Sequence, residues 1–422
     1  MDLTPLRSSR DFRLLWFGEL LSSAGSQIAV VAVFVQLTEL TESLAVVGLV
    51  GMARLFALAL GSFLGGPLID TRDRRRLLLG AEVCQIASSA VLLIGALIGD
   101  PPVALVYVGA ALTAGFGGFA AATRSAIIPN VVSRAQLPST LSLNQLMYNT
   151  TMIVGPAIGG LIIDGFGLSV AYAVNVVSFV AAIVAGFLIK RQVPKQEFLA
   201  TEARRGSFAH GWSQLTEGFR FLRGQRVLKS TFYVDLIAMI FGMPRALFPV
   251  LAITEFGAST ASKGSVAGAM FAAVAAGAVI AALTTGWVRH VQRHGLAVLW
   301  AVAVWGLGII LFGLSDGVLP LALASLALAG AADVVSAVFR GSILQSTVPD
   351  NLRGRMSSVN ILVVAGGPNL GDVEAGLVAS AFSPVASVVI GGAACIVGVV
   401  VLSLIIPELA RYRAPVASEA KS

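Results

Sequence analysis

The chain has 422 residues, of which 56% are hydrophobic and 12% charged, with a formal charge of +7. Soluble domains run near 45–50% apolar and about 25% charged, so this composition excludes a soluble enzyme or a soluble binding module. The basic residues sit between apolar runs and form no stripe, which excludes a nucleic-acid role and points to lipid headgroups and topology.

A spanning helix needs about 20 mostly apolar residues. The basic start, MDLTPLRSSRDFR, lacks an A-x-A cleavage site and is read as leading into a retained first helix. Twelve apolar runs follow: 12–38, 44–69, 76–98, 103–128, 138–163, 168–190, 229–254, 264–288, 295–314, 318–345, 355–380 and 385–406. Gly and Pro interrupt the fifth and eleventh. The longest loop, about 191–228, carries Phe208, Trp212, Leu215, Phe219 and Leu222 at helical spacing, which predicts an amphipathic helix on the membrane surface or a solvated linker helix. The expected class is all-α membrane, with an N-terminal six-helix bundle (1–190), a cytoplasmic linker (191–228), a C-terminal six-helix bundle (229–406) and a cytoplasmic tail (407–422).

Of the 29 Lys and Arg residues, the odd-numbered loops hold only Lys263, and Arg54, Arg124, Arg245 and Arg340 fall within runs. The rest, including Arg72, Arg74, Arg75 and Arg76, lie in the N-terminal segment, the even-numbered loops and the tail. That bias predicts a multi-pass protein of the cell membrane with both termini in the cytoplasm.

A shift of 216 residues aligns 124–166 with 340–382 without gaps. Arg124 meets Arg340, Asn144 meets Asn360, Gly155 meets Gly371 and Gly160 meets Gly376; the same shift brings Glu19 onto Asp235. The offset is near half the chain and maps the fourth and fifth runs onto the tenth and eleventh. Two pseudo-symmetric six-helix bundles in parallel repeat are a plan used by secondary transporters.

After the second run comes Gly65-Gly66-Pro67-Leu68-Ile69-Asp70-Thr71-Arg72-Asp73-Arg74-Arg75-Arg76. This resembles the loop signature of the major facilitator superfamily, from which Thr71 and Asp73 depart. The resemblance implies that Asp70 latches the halves on the inner side, with Arg74 in the same loop and Arg124 as the partner of Asp70. Gly155-Pro156-Ala157-Ile158-Gly159-Gly160 resembles the end of that superfamily's antiporter motif, which is associated with export; Thr151 breaks the upstream glycine spacing. The runs Asp333–Arg340, Leu352–Ser357, Gly367–Asp372, Gly218–Leu222 and Leu247–Ala252 are similar to the branch containing the bacterial enterobactin exporter and macrolide or multidrug efflux proteins. The resemblance covers essentially the whole chain and implies the major facilitator fold.

An ionisable group in hydrocarbon is costly and usually faces a cavity or a partner. Asp333, Asp372 and Glu374, then Glu19 and Asp235, are the candidate proton-coupling carboxylates, because desolvation favours the neutral acid. Arg54 and Arg245 are candidates to meet an anionic substrate or to pair with an acid. Asn144, Tyr148 and Asn360 are candidate cavity residues, with Gln27, Gln145, Asn149 and Asn175 as further polar groups and Phe34, Phe116, Phe119 and Trp305 as aromatic ones. The alternative reading is static ion pairs holding helices together.

No Walker run is present, and His210, His290 and His294 form no HExxH, so no metal and no cofactor are expected. Cys84 and Cys395 lie inside apolar runs and build no disulfide framework. The expected function is export of small amphipathic molecules of siderophore or drug type by proton antiport and alternating access. The expected partners are substrate, protons and membrane lipid, with a monomer as the working unit. The alternatives are multidrug or macrolide efflux without a siderophore role, and a non-transport membrane sensor.

Overall fold

The computed structural model describes residues 3–191, 220–259, 262–349 and 352–413. Among them every regular element is helical. The first half supplies α1 (Arg10–Leu40), α2 (Leu44–Thr71), α3 (Arg74–Ile98), α4 (Val103–Val131), α5 (Leu137–Phe166) and α6 (Leu168–Leu188). The second supplies α7 (Arg226–Thr254, broken midway), α8 (Lys263–Thr284), α9 (His294–Gly313), α10 (Leu319–Thr347), α11 (Arg353–Ala381) and α12 (Pro384–Ile405). Eleven of these are long and apolar enough to cross a membrane among the described residues. The remaining one, α11, has the length at 29 residues and carries Pro368, Asp372 and Glu374. Phe208, Trp212, Leu215 and Phe219 of the expected amphipathic helix lie outside the described residues, as does most of the 407–422 tail; helix resumes at 220–224.

Local chemistry sets several helix starts. The side chains of Ser9, Ser43, Asp73 and Ser383 accept N–H bonds from Phe12, Val46, Arg75 and Ala386, which satisfies orphan amides at the first turns of α1, α2, α3 and α12. Gly167, at φ 84°, makes the one-residue reversal between α5 and α6. The fifth and eleventh runs are helical through Pro156 and Pro368.

The seventh run departs from expectation. Its first helix stops at Phe241, a single 3₁₀ turn follows at Arg245–Leu247, and helix resumes at Phe248–Thr254. Pro244 and Pro249 have no N–H to give the ladder. Trp305 of α9 donates its indole N–H to the Gly242 carbonyl at 3.0 Å, satisfying an oxygen at the break. Trp305 is thereby a buried structural residue, and Phe34 is likewise fully buried. The expected eighth helix also ends early, at Thr284, passing into a 3₁₀ segment, Thr285–His290.

Contacts divide the chain into two compact units: Met1–Trp212 with Ala258–Ala272, and Ser213–Gly257 with Ala273–Ser422. In the first, α1 packs on α5 and α6, and α4 on α2 and α3. In the second, α7 packs on α11 and α12, and α9 on α10 and α12. The internal repeat is visible in backbone contacts. A Cβ on Gly61 of α2 would strike the Gly115 carbonyl of α4, and a Cβ on Gly277 of α8 would strike the Ala327 carbonyl of α10. Glycine at 61 and 277, 216 positions apart, lets each helix pair approach to backbone contact.

The bundles bury aliphatic and aromatic side chains, among them Phe12, Leu143, Phe179, Phe248 and Phe339. They leave Phe166, Leu283 and Leu404 about three-quarters exposed or more, at 74%, 82% and 75%. That outer apolar surface suits a lipid solvent, in which the helix ladder satisfies backbone polar groups internally.

Candidate functional site

Each unit holds an arginine against two carboxylates. In the first, Arg124 of α4 reaches Glu19 of α1 (Nε to Oε2, 2.7 Å) and Glu82 of α3 (Nη1 to Oε1, 2.9 Å). Gln85 donates to Glu82 Oε2 at 3.1 Å, and Ser23 donates to Glu19 Oε1 at 2.9 Å. The Glu82 side chain is 2% exposed. A charge buried this way is tolerated only when paired and hydrogen-bonded.

In the second unit, Arg340 of α10 pairs with Asp235 of α7 through Nη1 and Oδ1, and its Nη2 lies 3.7 Å from Asp333 Oδ1. Asp333 precedes Arg340 by seven residues, two helical turns, so both lie on one face of α10. The Asp333 side chain is the most open of the three, at 28%, against 3% for Asp235. Asp235 and Arg340 line a small cavity with Thr231, Phe232 and Ala337.

A third pair lies at the break of α7. Arg245 opens the 3₁₀ turn and presents its guanidinium edge-on to Asp372 of α11: Nη2 to Oδ2 is 2.7 Å and Nε to Oδ1 is 3.4 Å. Two parallel N–H bonds to one carboxylate make this a strong, orienting contact. Asp372 is fully buried. Glu374, two residues on, is half-buried and carries no ion pair among those found between described residues.

Four of the five candidate carboxylates, Glu19, Asp235, Asp333 and Asp372, are thus brought onto arginines. Arg124, expected to partner Asp70, has its described ion pairs with Glu19 and Glu82; the side chains of Asp70 and Asn360 lie outside those described. Arg74 donates to the Ala126 carbonyl at 2.8 Å and the Ile69 carbonyl at 3.3 Å, tying the α2–α3 turn to the end of α4. Arg54 and Asn144 are half-buried on α2 and α5, and Tyr148 is 51% exposed. Asn175 is buried and donates to Ser89 Oγ at 2.9 Å, a structural bond between α6 and α3.

Gly155 and Pro156 lie where α5 packs closely on its neighbours. A Cβ on Gly155 would meet Gln27 of α1, and a Cβ on Gly268 of α8 would meet the Pro156 carbonyl. Here lie the residues that sequence reasoning missed. Asp164, near the end of α5, accepts the Gly264 and Ser265 amides at the start of α8, both at 2.7 Å. Lys263 pairs with Glu39 at the end of α1. One signal was available: Lys263 is the single basic residue in the odd-numbered loops.

Eleven helices fit to cross a membrane among the described residues, an internal repeat and arginine–carboxylate clusters inside each unit define a multi-pass membrane transporter of the major facilitator type. The transmembrane secretion effector family model matches residues 1–418, and the chain belongs to that family. It is 26% identical over 418 residues to the Enterobactin exporter EntS of Salmonella typhi, covering 98% of this chain and 96% of that protein. The identity to Enterobactin exporter EntS of Shigella boydii serotype 4 is 27% over 414 residues, at the same coverage of 98% and 96%. Among solved structures, the nucleoside transporter NupG superposes with a TM-score of 0.71 at 13% identity, covering 94% of this chain and 98% of that one. A bacterial homologue of the iron transporter ferroportin, in its inward-facing state, gives a TM-score of 0.64 at 15% identity, covering 95% and 98%. These structural likenesses speak to the fold; the family and the full-length relatives make the protein a secondary transporter that exports small molecules.

Proposed function

We propose that this protein exports a small amphipathic molecule of the siderophore type across the inner membrane, driven by proton antiport in an alternating-access cycle. Similarity along nearly the whole chain to enterobactin exporters supports the substrate class. The observation that carries the mechanism is the buried Arg245–Asp372 pair at the break of α7. A proton arriving from the outer side neutralises Asp372 and removes the charge that holds Arg245. The broken helix is then free to adopt its alternative packing. Release of that proton to the cytoplasm restores the carboxylate and the pair, while substrate leaves in the opposite direction.

Asp333 and Asp235 share Arg340, and Glu19 shares Arg124, so these carboxylates act as secondary sites where charge is exchanged during the cycle. Glu374, half-buried on α11, serves as a further proton-accepting carboxylate of that helix. Arg54, Asn144, Tyr148 and Asn360 supply polar contacts to substrate, and Asp70 with Arg74 gates the inner side. Both termini are cytoplasmic, lipid surrounds the bundles, and one chain is the working unit.

The test is transport in proteoliposomes under an imposed pH gradient. Asp372→Asn and Asp333→Asn lose gradient-driven efflux and keep substrate exchange at equal pH. Unchanged activity and unchanged pH dependence in both variants sink the coupling role. A deletion strain tests the substrate class: reduced extracellular siderophore with unaltered drug susceptibility supports the proposal, and the reverse pattern assigns multidrug efflux.

A further inference from the structure

A groove on the lipid-facing side of the first unit has a chemistry of its own. It has a volume of about 450 Å³ and runs between the first part of α1 and the last part of α6. Its walls are Leu14, Phe17 and Leu21 on one side and Val184 and Leu188 on the other. The larger of these stay open: Phe17 is 48% exposed, Leu21 51% and Val184 52%. The floor is small. Gly18 sits so close to α6 that a Cβ there would lie 2.9 Å from the Ala185 Cβ. Close packing at small residues, with long side chains on either flank, leaves an elongated apolar trough with room for one acyl chain.

One end of this trough is basic. Arg13 is the charged residue in its lining and is exposed, with one N–H given to the Leu6 carbonyl at 3.2 Å. A guanidinium carries five donors, so the remaining face is able to hold a phosphate bidentately. Arg7 and Arg10 precede it on the chain, and Lys190 and Arg191 follow Leu188 at the end of α6; all four are exposed. The acid at this end is Asp11, in the first turn of α1. Positive charge at the mouth of an apolar trough complements a molecule with an anionic head and a hydrocarbon tail.

We propose that the α1–α6 groove is a binding site for an anionic phospholipid. The phosphate sits on Arg13, and one acyl chain runs along Phe17, Leu21 and Val184. The site has a second consequence. Gly18 and Ala185 also line the small cavity that holds Glu19, Glu82 and Arg124. A single layer of small residues separates the trough from that cluster, so the bound chain seals the buried charges from outside the bundle. The occupant is a lipid of the surrounding leaflet, because the trough opens sideways onto the apolar surface.

The experiment is native mass spectrometry of the full chain, delipidated and then exposed to phosphatidylglycerol or phosphatidylcholine. Wild-type protein is expected to keep phosphatidylglycerol in preference to phosphatidylcholine. Arg13→Gln is expected to weaken phosphatidylglycerol retention about fivefold, the ratio for about 1 kcal/mol per basic residue near an anionic surface. Val184→Trp fills the trough from an exposed position, keeps the charges and is expected to lose the lipid as well. Melting of both variants in detergent checks that they fold. Equal retention of the two lipids by wild type, or wild-type retention of phosphatidylglycerol by either folded variant, overturns the proposal.

Discussion

Arg124 on α4 holds Glu19 on α1 at 2.7 Å, and 216 residues later Arg340 on α10 holds Asp235 on α7. The two pairs occupy corresponding positions of the repeat, so each bundle is clasped by the same contact. The third member differs. Glu82 comes from a separate helix, α3, and is almost wholly buried, whereas Asp333 comes from α10 itself and is more open. The first cluster therefore holds its third carboxylate the more tightly sealed, and the second leaves its third carboxylate the more open.

Removing one partner of a buried ion pair leaves an uncompensated charge and costs about 3–5 kcal/mol. Arg124→Gln strands two carboxylates and is expected to lower the melting temperature in detergent strongly. Adding Glu82→Gln to it restores part of the loss, because one stranded charge is removed and the new amides fit the same hydrogen-bonding space. A double-mutant cycle on melting measures this coupling. Simple addition of the two single effects would show that the pair is not a unit.

The Arg245–Asp372 contact depends on shape as well as charge. Arg245→Lys keeps the cation and loses the fork that addresses both carboxylate oxygens. The expected result is an intermediate phenotype: stability close to wild type, with gradient-driven transport reduced about tenfold, the rate equivalent of about 1.4 kcal/mol. Arg245→Gln is expected to be worse in both respects. Transport under a pH gradient and melting, read side by side, check this; equal behaviour of Lys and Arg would reduce the pair to a point-charge contact.

Much of this was legible in the sequence, for identifiable reasons. Apolar runs of about 20 residues have one physical reading, so the helices stood out, and the fixed offset matched Arg124 with Arg340 and Glu19 with Asp235 before any pairing was known. The break in α7 was not legible as a break, because 229–254 stays apolar through it; Gly242, Pro244 and Pro249 mark it only once Trp305 is seen to satisfy the Gly242 carbonyl. Asp164 was missed because a carboxylate near a helix end reads as solvated. Its partners are backbone amides about 100 residues away, and sequence periodicity carries no record of a contact to backbone.

Asp164 and Glu39 both engage the start of α8, with different strengths. Lys263 and Glu39 are 11% and 39% exposed, and a partly open ion pair contributes about 0–1 kcal/mol. Asp164 satisfies two amides of a helix N-terminus with one charged side chain, in a position that also favours negative charge. Loss of a capping side chain costs about 0.5–2 kcal/mol. Asp164→Ala is therefore expected to lower the melting temperature more than Lys263→Met, with Asp164→Asn between them. The reverse order would show that the ion pair, rather than the cap, holds this end of α8.

The glycines separate packing from propensity. Gly160 of α5 faces α8 so closely that an added Cβ would overlap the Gly264 carbonyl and approach Ser265 Cα, both backbone atoms with no rotamer to relieve the clash. Gly80 of α3 has nothing within 4 Å of the same added atom. Both lie inside helices, where alanine is intrinsically better than glycine by about 0.8–1 kcal/mol. Gly80→Ala is expected to leave melting unchanged or raise it slightly. Gly160→Ala must push α8 off α5 and is expected to lower melting and transport together, since overpacking of a tight contact costs about 1–3 kcal/mol. Equal melting of the two variants would mean that α5 and α8 are not held at backbone contact.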